Sequence, residues 1–230
     1  MFLRQLFDHE TSTYTYLVAD PSTKAAALID PVLEQRERDA KLVSELGFRL
    51  ELVLDTHVHA DHVTAASALR DATGARTVQS RKGAACADVP VSHGDVVRLG
   101  GLAIRVLGTP GHTDDSVSYA VNGHVFTGDT LLVRGTGRSD FQNGDPAALY
   151  RSITQVLFSL PDETIVLPGH DYRGFTRSTI GEEKRFNARV AGKSEDEMIA
   201  IMNQLGLPPP RKLATAVPAN RACGRVEEAR

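Results

Sequence analysis

The segment Thr56-His57-Val58-His59-Ala60-Asp61-His62 follows directly on the apolar run Leu52-Val53-Leu54. It crowds three imidazoles and a carboxylate together, the donor types that suit zinc, iron and other first-row metals. Desolvating so many titratable groups at one place is costly unless a cation organises them. His57 and His59 are two positions apart. An extended backbone sends both side chains to one side, whereas on a helix they would not face each other. The pair therefore belongs to a strand end or a loop, and the zinc-protease pattern of two histidines on a helix face is absent. Asp61 is placed to start a helix as its N-cap.

Three further segments repeat the setting. His112 follows the apolar stretch Leu102 to Leu107 through Thr109-Pro110-Gly111, Asp129 follows Val125-Phe126 through Thr127-Gly128, and His170 follows Ile165-Val166-Leu167 through Pro168-Gly169. Each candidate ligand stands past the carboxyl end of a strand-like run, behind a glycine that permits a tight turn. Such strand-end loops can converge at one edge of a sheet, where α/β proteins often place their sites. His9, His93 and His124 lack this context.

The rest of the chain reads as alternating strands and helices. Thr13 to Val18, Ala25 to Ile29, Leu50 to Leu54, Val96 to Leu99, Leu102 to Leu107, Val117 to Val121, His124 to Phe126 and Thr164 to Leu167 look like strands. Gly100-Gly101 and Asn122-Gly123 are hairpin turn signals. Helices are expected over Leu33 to Leu46, Asp61 to Thr73, Asp145 to Leu160 with Pro146 at its first position, and Met198 to Leu205. A single domain over 1–230 is expected, with a short C-terminal extension from about residue 172.

Composition narrows the function classes. The chain has 230 residues, 41% of them hydrophobic and 24% charged, with a net charge of −3. That balance argues against a broad nucleic-acid surface. No apolar run approaches bilayer-spanning length. Met1 to Glu10 has neither a secretory nor a transit layout, and Cys86 and Cys223 form no CxxC pair or disulfide framework. The expectation is a cytoplasmic protein in a reducing compartment, with Cys86 in helix packing and Cys223 a small buried thiol. A homodimer is compatible with this reading.

Together THVHADH, GTPGHT, FTGDT and LPGHD resemble the metallo-β-lactamase superfamily. The resemblance implies an α/β (α+β) fold of four layers, an αββα sandwich with its metal in a cleft at the edge of the two sheets. The same ligand set serves two kinds of site. A binuclear site would use His57, His59 and His112 for one metal and Asp61, His62 and His170 for the other, with Asp129 bridging. A mononuclear iron site would use His57, His112 and Asp129, two imidazoles and a carboxylate that leave open positions. His59, Asp61, His62 and His170 would then surround it or touch substrate.

A second set of segments distinguishes these. Arg134-Gly-Thr-Gly-Arg-Ser-Asp-Phe-Gln142, Gly169-His-Asp-Tyr-Arg-Gly-Phe-Thr176, Glu182-Glu-Lys-Arg-Phe-Asn-Ala-Arg189 and Val217-Pro-Ala-Asn-Arg-Ala-Cys-Gly224 resemble the persulfide dioxygenase branch. That resemblance implies O2-dependent oxidation of glutathione persulfide to sulfite and glutathione, in sulfide metabolism, with one non-haem Fe(II) per chain. It makes His57, His112 and Asp129 the iron ligands and the catalytic set. Tyr172 and Arg189 are expected to contact glutathione, while Arg138 either joins them or steadies the site loop. The alternative is a binuclear zinc hydrolase of glutathione thioesters of the glyoxalase II type, which usually carries a larger C-terminal helical part, so that the short tail here speaks against it as an expectation.

Overall fold

The computed structural model describes residues 1–225. Its strands form two mixed six-stranded sheets flanked by helices. The first sheet holds β1 (Phe2–Asp8), β2 (Thr13–Ala19), β3 (Ala25–Ile29), β4 (Arg49–Leu54), β5 (Arg76–Ser80) and β6 (Val89–Val91) in chain order. The second contains β7 (Val96–Leu99), β8 (Leu102–Gly108), β9 (Val117–Val121), β10 (His124–Gly128), β11 (Ile165–Pro168) and β12 (Ser178–Thr179), in the order β12-β11-β10-β9-β8-β7.

The chain divides into two compact units. Of the described residues, the first comprises 1–91, 96–104 and 209–225, the second 92–95 and 105–208. In the first unit β2 and β3 are buried on both faces, which explains their unbroken apolar runs. Leu17, Ala26 and Leu28 pack there with Val43 of α1 (Arg36–Glu45) and Leu69 of α2 (Ala66–Thr73). β3, β4 and β5 run parallel, so the loops after β3 and β4 leave from the same edge. In the second unit Val125 and Val166 pack with Leu149 of α3 (Pro146–Arg151), with Ile180 of α4 (Ile180–Phe186), and with Met198 and Met202 of α5 (Glu195–Asn203). The Asn122-Gly123 signal is a two-residue turn between β9 and β10, both residues at positive φ. Asp145 caps α3 by accepting from the amides of Ala147 and Ala148, with Pro146 at its start.

The structure corrects two expectations. The helix placed at Asp61 starts only at Ala66, and residues 61–65 remain loop because their backbone is engaged elsewhere. Cys86 and Cys223 are not separate thiols: they form a disulfide, with their Cα atoms 6.1 Å apart. Cys86 lies in an exposed loop rather than a helix, and Cys223 is fully buried just past α6 (Leu213–Arg221). The cysteine argument for a reducing compartment falls with that pairing. Among the described residues no helix is long and apolar enough to cross a membrane.

Candidate metal centre

In the first unit the histidine loop follows β4, and Asp30 follows its parallel neighbour β3. The Asp30 carboxylate accepts from the Thr56 amide at 2.7 Å and the Thr56 hydroxyl at 2.9 Å. Its Oδ1 also pairs with His59 Nε2 at 3.1 Å. The three imidazoles are buried and lie in series: ring centroids are 4.1 Å apart for His57 and His59, and 4.3 Å for His59 and His62. His62 Nδ1 is 3.0 Å from Asp61 Oδ2. Two donor groups arise within this unit, His59 with Asp61 and His62, and Asp30 with Asp55 and His59.

The buried acids and imidazoles here shift one another's protonation. Burial raises the Asp55 carboxyl to about 6, against the pull of His59. His59 is shifted upward: burial opposes its charge, but the charge and hydrogen bond of Asp30, with Asp55 and Asp61, outweigh it. His59 Nδ1 is buried with no hydrogen-bond partner.

In the second unit β8 and β10 each run antiparallel to β9, and β11 runs parallel to β10. The carboxyl ends of all three therefore point one way, and His112, Asp129 and His170 follow those ends as the strand-glycine-ligand pattern implied. His112 Nε2 lies 3.6 Å from Asp129 Oδ2, and His170 Nε2 lies 3.6 Å from Asp129 Oδ1. His112 Nδ1 is 2.6 Å from the carbonyl oxygen of Arg138, which orients the ring with Nε2 toward the aspartate. Two glycines make room. A Cβ on Gly137 would lie 2.5 Å from the Asp129 carbonyl oxygen and 2.8 Å from His112 Nδ1, and one on Gly169 would lie 2.8 Å from Asp129 Oδ1. Asp129 Oδ1 is buried without a hydrogen-bond partner. A carboxylate oxygen in that state is costly unless a cation meets it, so the donor set of this unit fits a metal.

The expected substrate residues fall in different settings. Arg138 forms a bidentate pair with Asp140 at 2.6 Å and donates to the carbonyls of Leu207 and Pro208. Arg189 donates to the Thr136 carbonyl and hydroxyl and to the Gly137 carbonyl, all neutral acceptors. Burial, then its like-charged neighbour Arg173, lower the Arg189 pKa. Tyr172 is exposed and stacks on His170, centroids 5.9 Å apart and rings 6° from parallel. Three residues were missed by sequence reasoning, Asp30, Asp55 and Asn220. Asp30 follows the fully buried strand β3, and Asn220 stands in the tail motif Val217 to Gly224.

The model of the metallo-β-lactamase superfamily matches residues 10–85 and 87–170. A human protein named persulfide dioxygenase ETHE1, mitochondrial, is 45% identical over 227 residues, covering 97% of this chain and 89% of its own. The crystal structure of ETHE1 from Myxococcus xanthus is 62% identical and superimposes with a TM-score of 0.97, covering 98% of this chain and all of that one. A hydroxyacylglutathione hydrolase from Methylobacterium is 40% identical over 161 residues, 68% of this chain and 61% of its own. The chain thus belongs to the metallo-β-lactamase superfamily and, within it, to the persulfide dioxygenases.

Proposed function

We propose that this protein oxidises glutathione persulfide with O2, giving sulfite and glutathione, at a single iron(II) held by His57, His112 and Asp129. The observation that carries the reading is the near-full-length similarity to persulfide dioxygenases, 62% identity in one case. The donor chemistry supports it, because two imidazoles and one carboxylate form a set that could hold a metal ion. Bound there, iron(II) would supply open positions for a persulfide sulfur and dioxygen.

This chain's own residues do the remaining work. The Arg138 carbonyl sets the His112 tautomer, so that Nε2 is the donor nitrogen. Asp30 fixes the start of the histidine loop through the Thr56 amide. Arg189, with neutral partners and Arg173 nearby, is suited to a glutathione carboxylate, which would replace weak acceptors with a charged one. Tyr172, spread over His170, offers an exposed ring and hydroxyl to the peptide.

A second reading, the binuclear hydrolase of glutathione thioesters, is favoured by the grouping of His59, Asp61 and His62 into a further donor set. Elemental analysis of anaerobically purified protein, paired with an oxygen electrode, separates the two. About one iron per chain, with oxygen uptake on adding glutathione persulfide, is expected. Two zincs per chain with anaerobic hydrolysis of lactoylglutathione would replace the first reading by the second.

A further inference from the structure

The tail motif Val217 to Gly224 has no part in the chemistry above, yet it meets the histidine loop directly. Asn220 of α6 is buried, and its side-chain amide bonds that loop's backbone three times. Oδ1 accepts from the Thr64 amide at 2.9 Å, and Nδ2 donates to the carbonyls of His59 at 2.9 Å and His62 at 2.8 Å. The contact bridges up to 161 positions of sequence. The neighbouring chain is seated just as closely. The Cys223 carbonyl accepts from both the amide and the hydroxyl of Ser67, and a Cβ on Gly224 would lie 2.0 Å from the Thr64 carbonyl oxygen. Val63 of the loop packs with Ala216 and Ala219 of the helix.

We propose that Asn220 is a positioning residue of the metal centre, holding the backbone from His59 to Thr64 so that His57 and its neighbours keep their aim. Asp30 pins the start of the same loop at Thr56. The loop is thus fixed at both ends by side chains from distant segments, and only the Asn220 pin lies outside the matched superfamily region, which ends at residue 170. An amide suits the task because it supplies donor and acceptor together. A carboxylate would keep the Thr64 bond but set its second oxygen against two carbonyls.

The proposal rests on the iron reading, and its test separates the two. Ferrous iron affinity is measured anaerobically by chelator competition on wild type, Asn220→Ala, Asn220→Asp and Ser67→Ala, alongside melting of each metal-free protein. Both Asn220 variants should bind iron roughly 10–100-fold more weakly, the range for partners that orient metal ligands. Ser67→Ala, which loosens the tail without touching residues 59–64, should stay within about threefold of wild type, well short of that range. Asn220 variants within about threefold of wild type, an equal loss in Ser67→Ala, or failure of both Asn220 variants to fold would each overturn the proposal. Failure of wild type itself to bind iron would instead remove the functional reading.

Discussion

Asp129 sits where stability and chemistry conflict. One of its oxygens is buried without a hydrogen-bond partner while two imidazoles stand 3.6 Å away. Such an atom destabilises the metal-free fold and is repaid only when a cation arrives. Asp129→Ala should therefore abolish iron binding and activity, yet melt no lower than wild type when both are metal-free. Ferrous iron should then raise the melting temperature of wild type alone. A metal-free variant that melts well below wild type would show that the carboxylate serves the fold. Arg189 allows a different test. Its partners are carbonyls and a hydroxyl, so truncation should remove ground-state binding and raise the persulfide KM with kcat little changed. An unchanged KM would take Arg189 out of the pocket. Arg138 is unlike it, since Asp140 already neutralises its charge and its own carbonyl holds His112.

Elements became legible in the sequence where local chemistry decided them. β3, β7 and β9 have the bounds that their apolar patterns give, and Asn122-Gly123 makes the turn such a pair makes in hairpins. The donor groups after β8, β10 and β11 were visible as a repeated strand, glycine, ligand phrase. What long-range partners decide was not visible. Residues 61–65 have a helix-start composition but spend their backbone on Asn220, Leu33 and Pro31. α6 carries Pro218 in its interior and was not read as a helix. β5 was missed too; Asp88, eleven positions on, accepts from the amide of Thr77 at 2.8 Å and from its hydroxyl at 2.9 Å. The Thr77 amide first, with its hydroxyl and with Arg70 and Arg76, holds Asp88 below the ordinary carboxylate range despite some desolvation. The stabilisation from such a depressed carboxyl is whole above its unfolded pKa of about 3.9 and lost as pH falls through the lower folded value. Asp88→Asn should accordingly lower the urea midpoint at neutral pH, with the gap to wild type closing as the solution is acidified below about pH 3.9. A gap independent of pH would mean that the side chain acts by shape alone.

For the whole molecule the disulfide changes the account most. Two cysteines 137 positions apart carry no geometric information in a sequence, so nothing in composition could pair them. By the chain-entropy account a crosslink over that span disfavours the unfolded state by up to about 5 kcal/mol. Reduction under mild conditions should lower the melting temperature of wild type and leave a Cys86→Ser variant unmoved; equal responses would assign the loss to the reductant. The bond also joins the loop before β6 to the residue just past α6, so everything between them belongs to a closed covalent circuit. Within it, Tyr172 to Arg177 is an exposed stretch containing Arg173 and Arg177. A single tryptic cut there opens the circuit without releasing either piece: electrophoresis without thiol should show one species of full mass, and with thiol two fragments. A nicked enzyme of this kind would look intact on the very gel normally used to certify it.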